Sequence, residues 1–398
     1  MRRFATLLAL CLAPTPAAAD EPKPNTLTPA EIADGWLLLF DGGTSFGWKL
    51  QGDAKVAHEA LALGGLQASV ALFTGLFHEF ELTFEYRSAK GFTIEARPTL
   101  EKPTGGGWLR RGLEPSAGTE WAQATFTLRP GQGTFQVRGV KGFERKQLFP
   151  WAGGSPTYIA FGARPMASAT LRNLKLRPLG LEPIFNGRDL TGWKPFETPP
   201  RNKSQFTVGN AELHVKNGPG DLQTEGKWAD FVLQLECRSN GKYLNSGVFF
   251  RCLPGDYQQG YEAQIHNAFT EGPTKEYTLE EYDPRTHELV GKKKVKYQAI
   301  DYGTGAIYRR QPARRPASQD FEWFTMTVAA HGRHMLVWVN GLLVTDWTDN
   351  RPPNENGRNG CRLEAGAISL QGHDPTTDLS FRNLRVGELP PLPPAPRK

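Results

Sequence analysis

Apolar and polar residues alternate along this chain in short runs, and glycine, proline, asparagine and aspartate separate one run from the next. Phe231-Val-Leu-Gln-Leu-Glu-Cys237, Gly247-Val-Phe-Phe-Arg251 and Met335-Leu-Val-Trp-Val339 are typical, and period-two alternation between turn residues reads as strand. Asn340-Gly341 between Trp338-Val339 and Leu342-Leu343-Val344 predicts a two-residue hairpin, because both central positions need positive φ. His331-Gly332 marks a second turn. Strands at this density leave one apolar face each, and covering it requires a second sheet. The pattern therefore predicts an all-β chain of β-sandwich type, of which the jelly roll is a common form.

Two halves of the chain repeat one plan. Trp36-Leu-Leu-Leu-Phe40-Asp41-Gly42 leading to Gly47-Trp48-Lys49 is answered by Pro183-Ile-Phe185-Asn186-Gly187 leading to Gly192-Trp193-Lys194. Leu171-Arg172-Asn173-Leu174 is answered by Phe381-Arg382-Asn383-Leu384, and Glu120-Trp121 by Glu322-Trp323. The preserved order implies duplication. From Trp48 to Trp121 is 73 positions, from Trp193 to Trp323 is 130, so the second copy carries an extra block, approximately residues 242–315. The expected organisation is a signal peptide over 1–19, a linker over 20–34, sandwich domains over 35–179 and 181–389 in tandem, and a proline-rich tail over 390–398.

Composition agrees with this plan: 43 Gly, 31 Pro, ten Trp and 23 Phe describe turns and strands better than long helices. Arg2 and Arg3, the apolar run Phe4 to Leu12 and Ala17-Ala18-Ala19 predict export to the periplasm or outside the cell. No later stretch is long enough to span a bilayer. The formal charge of +6 falls to +4 without residues 1–19, too mild to argue for nucleic acid. Lys292, Lys293, Lys294 and Lys296, followed by Arg309, Arg310, Arg314 and Arg315, suit an acidic partner or a solvated face. Cys237, Cys252 and Cys361 allow either one disulfide, Cys237 with Cys252, or three buried thiols.

The extra block concentrates the unusual polar residues. Along Gly260-Tyr-Glu-Ala-Gln-Ile-His266, alternation puts Tyr261, Ala263 and Ile265 on a core face and Glu262, Gln264 and His266 on the other. A carboxylate, an amide and an imidazole in a row suit hydroxyl binding and proton transfer, or else a solvated face. Asn245 stands at the mouth of the preceding strand and Arg251 at its far end, where it can pair with Glu262. Tyr308, after Gly303-Thr-Gly305, either meets a sugar or fills the interior. Gln371 alternates with Ile368 and Leu370, and His373-Asp374 follows as a His–Asp pair beside the site or a capped turn. A retaining β-glucanase reading is disfavoured, because Glu262 has no acidic partner two or four residues away.

Phe185-Asn-Gly187, Leu190-Thr-Gly-Trp193, Asn245-Ser-Gly-Val-Phe-Phe-Arg251, Tyr261-Glu-Ala-Gln-Ile265, Thr304-Gly-Ala-Ile-Tyr308, Trp338-Val-Asn-Gly341 and Phe381-Arg-Asn-Leu384 together resemble the 3-keto-disaccharide hydrolase domain family. The resemblance covers the second half; the first half, lacking the Asn-Ser-Gly and Tyr-Glu-Ala-Gln phrases, reads as a degenerate copy. It implies a concanavalin-like jelly roll that cleaves glycosides oxidised to a ketone at carbon 3, with an upstream sugar 3-oxidoreductase as partner. On this reading Glu262 or His266 moves the protons, and Asn245, Arg251, Gln264, Tyr308, Gln371 and His373 hold the oligosaccharide or glycoside. His266 departs from the acidic residue that family members often carry there. No cofactor is firmly implied; a divalent metal is open to Glu262, His266 and His373 if folding joins their strands. The alternative is a non-catalytic, lectin-like carbohydrate-binding protein.

Overall fold

A computed structural model describes residues 23–97, 109–116, 120–140, 143–151 and 154–391. The expected signal peptide, and the tail beyond residue 391, lie outside these residues.

Each half is a sandwich of a back sheet and a five-stranded front sheet, and the strand order is the same in both. The first front sheet runs Trp48–Gln51, Ser69–Phe77, Thr157–Ala163, Phe92–Arg97, Leu109–Leu113; the second runs Trp193–Pro195, Gly220–Thr224, Ala367–Gly372, Ser246–Cys252, Tyr261–Ile265. The two back sheets join into one sheet of sixteen strands, because Leu38 pairs in parallel with Leu342. The expected all-β, tandem jelly-roll plan is thus present, with the two sandwiches fused at their edges.

The repeated phrases are structural. Trp48 Nε1 donates to the Leu39 carbonyl and Trp193 Nε1 to the Ile184 carbonyl, both at 2.7 Å, so each Gly-Trp-Lys phrase buries an indole whose N–H is satisfied. Each Arg-Asn-Leu phrase is a bulge with its asparagine left-handed, φ 52° at Asn173 and 54° at Asn383. Arg172 pairs with Glu85 at 2.7 Å and lies over Trp121, while Arg382 pairs with Glu236 at 2.6 Å and lies over Trp323. That explains the distant Glu-Trp phrases: their tryptophans carry the arginines.

Asn340 and Gly341 turn the hairpin between His334–Val339 and Leu342–Thr348 with φ of 48° and 71°. Cys237, Cys252 and Cys361 are all buried and unbridged. From Lys23 on, the segment read as a linker makes specific contacts with the first sandwich. Asn25 and Asn173 exchange backbone-to-side-chain hydrogen bonds of 2.6 and 2.8 Å, and Thr28 caps the short helix Pro29–Ala33. Its polarity serves these contacts, which sequence alone does not separate from solvation.

Replacing Asn383 by Ala at its left-handed φ should destabilise the fold by about 1–2 kcal/mol, and Gly should cost less. Urea unfolding of the two variants checks the difference.

Candidate functional site

Alternation on Tyr261–Ile265 holds. Tyr261, Ala263 and Ile265 enter the core of the second sandwich, while Glu262 and Gln264 face the other way and are nevertheless buried, 6% and 0% exposed. They are covered because the extra block returns along this edge strand. Gln264 N donates to Ala306 O at 3.0 Å, Gly305 N to Gln264 O at 2.9 Å, Tyr308 N to Glu262 O at 3.0 Å and Thr304 N to His266 O at 3.1 Å. Gly305, at φ 87°, leaves no room for a side chain, since a Cβ there would lie 2.5 Å from Val344 Cγ2.

Five expected residues meet. Asn245, Glu262, Tyr308, Gln371 and His373 line one cavity of about 380 Å³, together with Tyr257, Arg309 and Arg358. Glu262 sits against a strand position that must be glycine, because a Cβ on Gly247 would fall 2.7 Å from Glu262 Oε1. Arg358 Nη2 donates to Glu262 Oε2 at 3.2 Å, and the same guanidinium lies over the ring of Phe249, Glu262's cross-strand neighbour. Burial nevertheless outweighs Arg358, with Asp301 and Asp221 adding like charge, and lifts the Glu262 carboxyl to about 8. It is protonated at neutral pH.

Gln264 and His266 stand behind this wall. Gln264 Nε2 donates to the Asp301 carbonyl at 3.0 Å. His266 Nδ1 is 3.6 Å from Asp301 Oδ2, too long for a hydrogen bond and close enough for charge to act. His266 is the first cause of a lowered Asp301 pKa. Asn245 Nδ2 bridges Asp301 Oδ2 at 3.1 Å and His373 Nε2 at 3.3 Å. His373 Nδ1 lies 2.8 Å from Asp374 Oδ2. Asp374 therefore favours the Nδ1–H tautomer and leaves Nε2 as the acceptor. The adjacent residues act as a pair because only His373 turns to the cavity.

Arg251 is a correction. It does not reach Glu262: fully buried, it bonds the carbonyls of Ala229, Gly332 and Arg362 and the carboxylate of Asp230 at 2.9 Å. At φ 49°, it sits next to the end of its strand, at an irregularity between Phe249 and Cys252, with the side chain turned from the alternation, so the facing inferred from Glu262 fails. Glu262, His266 and His373, the set open to a divalent metal by sequence, are not grouped: among the described residues no three of His, Cys, Asp and Glu are placed to hold an ion.

Sequence reasoning missed Asp301, Arg309, Arg358 and Asp221. Asp221 is 0% exposed, accepts from Gln258 N at 3.0 Å, and is pushed by burial to about 7. Arg309 and Asp301 lay inside the singled-out block. Nothing near Arg358 or Asp221 in the sequence signals proximity to Glu262.

A family model described as the 3-keto-alpha-glucoside-1,2-lyase-like domain matches residues 180–387. No curated protein matches the chain. Similar solved structures include a candidate glycosyl hydrolase from Parabacteroides distasonis, 19% identical, covering 53% of this chain and 94% of that one at a TM-score of 0.38. A second from the same organism is 22% identical, covering 50% and 99% at 0.34. The carbohydrate-binding module CBM66 from Bacillus subtilis is 12% identical, covering 49% and 95% at 0.30.

Replacing Gly247 by Ala should push the Glu262 carboxyl out of place and destabilise the fold by about 1–3 kcal/mol. Thermal unfolding of Gly247→Ala checks this; a melt equal to that of the parent would show that Glu262 yields without cost.

Proposed function

The chain belongs to the 3-keto-alpha-glucoside-1,2-lyase-like domain family, and from that premise we propose that its second half cleaves glycosides whose sugar carries a ketone at carbon 3. The observation that carries the reading is a buried carboxyl, Glu262, whose pKa desolvation raises, in one cavity with a histidine oriented by a carboxylate. A ketone at carbon 3 acidifies the hydrogen at carbon 2. Once the substrate displaces Asn245 Nδ2 from His373 Nε2, that nitrogen removes the proton, and the C–H electron pair forms an enolate. The enolate collapses to a carbon 1–carbon 2 double bond as the bond from carbon 1 to the leaving oxygen breaks. Glu262 supplies the proton that this oxygen takes up. Addition of water across the double bond completes a net hydrolysis. An acid and a base at separate positions are what this sequence of steps needs.

Tyr308 and Arg309 supply donors for the ketone oxygen and the hydroxyls, and Asn245, whose two N–H groups go to Asp301 and His373, offers its Oδ1 to a hydroxyl. Asp301 holds Asn245, and through it His373. Gln264 and His266 act through Asp301 and are positioning residues. The first half is non-catalytic in this proposal, the protein works outside the cytoplasm, and an oxidoreductase specific for carbon 3 supplies its substrate.

Two outcomes test the reading. Incubation with a 3-keto-glucoside and with its unoxidised parent should release the aglycone from the keto compound only, and Glu262→Gln should lower kcat/KM by about 10²–10⁴-fold. Binding of both compounds without turnover would instead make this a carbohydrate-binding protein. Because the acid form of Glu262 is the active one, kcat/KM should fall as pH rises through about 8. That alkaline limb should disappear from any residual activity of Glu262→Gln. The same raised pKa works against stability in the same direction: folding keeps Glu262 protonated where the unfolded chain has released the proton, so its contribution is lost as pH rises from the ordinary carboxylate range to about 8.

A further inference from the structure

The hairpin of the extra block, Lys275–Tyr282 with Leu289–Tyr297, sorts its charges by face. Glu276 stands opposite Lys296, Thr278 opposite Lys294 and Glu280 opposite Lys292. There Lys294 reaches Glu276 at 2.9 Å and Lys292 reaches Glu280 at 3.9 Å. Alternation puts Lys293, Val295 and Tyr297 on the opposite face, with Lys293 across from Leu279. Residues of both faces, Lys293, Val295 and Tyr297 among them, border a groove of about 600 Å³, which is larger than the Glu262 cavity and shares Arg309 with it.

The groove is rich in positive charge. Five basic residues line it against Glu280 and Glu281. Arg351 is matched by Asp349 at 2.8 Å; Lys293, Arg309 and Arg310 have no ion pair among the described residues. Arg310 and Arg351 both donate to the Arg358 carbonyl, at 2.5 and 3.1 Å, so two guanidinium groups converge on one neutral oxygen. Burial, and then the charge of Arg351, lower the Arg310 pKa, the condition of a cation short of an anion. Tyr297 and Trp347 also line the groove and are half-buried, as rings that stack on sugar faces are.

We propose that this groove binds the leaving-group side of the substrate and that this part is an acidic saccharide, its carboxylate taken by Lys293 and Arg310 and its rings by Tyr297 and Trp347. The placement of the leaving group rests on reading the Glu262 cavity as the cleavage site; the binding of an acidic saccharide does not. One guanidinium and one ammonium without ion pairs among the described residues favour a carboxylated sugar over a neutral one of the same size.

Isothermal titration of the full chain with tri-galacturonate and with maltotriose tests it. The acidic trisaccharide should bind about tenfold or more tightly, a factor of ten corresponding to about 1.4 kcal/mol, and should lose this advantage in high salt. Lys293→Glu, on an exposed hairpin face, should abolish the preference, and Tyr297→Ala should weaken both sugars. Retention of tri-galacturonate binding in Glu262→Gln separates the groove from the chemistry. Equal affinity for the two sugars, or an unchanged preference in Lys293→Glu, overturns the proposal, whatever the activity on keto-glycosides.

Discussion

The second sandwich is organised around one carboxyl group removed from water and given one cation within hydrogen-bonding distance, Arg358. Desolvation disfavours the ionised form of Glu262 more than Arg358 favours it. The side chain is therefore kept as an acid, and the surrounding structure has to maintain that balance. Tyr261, its neighbour on the core side, donates to Asp349 Oδ2 at 2.7 Å. Asp349 holds Arg351, and Arg351 donates to the carbonyls of Gly357, Arg358 and Gly360. The loop fixed in this way presents Arg358 to Glu262. Consecutive residues on opposite faces of one strand are thus joined by a closed circuit, and the position of the cation is set from the core.

The two front sheets show what this arrangement changes. In the first half the outward face of Phe92–Arg97 carries Glu95 paired with Arg97 and with Arg110 at 3.3 Å, so its buried charge is matched locally. In the second half, among the described residues, Gln264 Oε1 and Gln371 Oε1 have no hydrogen-bond partner. Buried acceptors are seldom left open in folded proteins, and where they occur a water or a ligand group generally meets them. Gln371 lines the Glu262 cavity, and Asp221 fixes its rim through Gln258. One copy of the duplicated sheet closes its polar face; the other leaves acceptors around a cavity. That difference is the physical content of calling the first copy degenerate.

The strand pattern, the duplication, the extra block and the facing of Glu262 were legible because each depends on local periodicity or on internal repetition. Asn245, Tyr308, Gln371 and His373 were legible as polar residues at strand ends and alternating positions. The pairing of Glu262 was not. Arg251 lay on the neighbouring strand and was the natural candidate, yet the partner is Arg358, 96 positions away, brought in by a loop whose course depends on Asp349 and Arg351. Asp221 was unreadable for a similar reason, since a single carboxylate in Gly220–Thr224 gives no sign of being fully buried. The contacts of the linker segment were not readable either: Asn25 serves a specific bond to Asn173, and composition does not separate that from exposure.

Fusion of the two sandwiches gives the first half a role that needs no ligand. Trp338 of the second half packs among Phe73 and Phe77 of the first, so the first core extends onto the second half's back sheet. The extra block then ends on the first half: Arg314 Nη1 meets Asp41 Oδ2 at 2.6 Å, and Arg315 approaches the same oxygen at 3.6 Å. Burial works against the charge on Asp41, but Arg314 and the N–H groups of Thr44 and Gly43 prevail and hold it at about 2. Asp41 belongs to the opening phrase that the duplication shares with Asn186. Asn186 only closes its own turn, accepting from Arg188 N and Asp189 N, whereas Asp41 closes its turn and also anchors the returning chain. The segment so anchored is the continuation of Thr304 to Tyr308, which covers Glu262. A copy that has lost the site phrases is therefore retained in the geometry of the site, as the fixed end against which the covering segment is held.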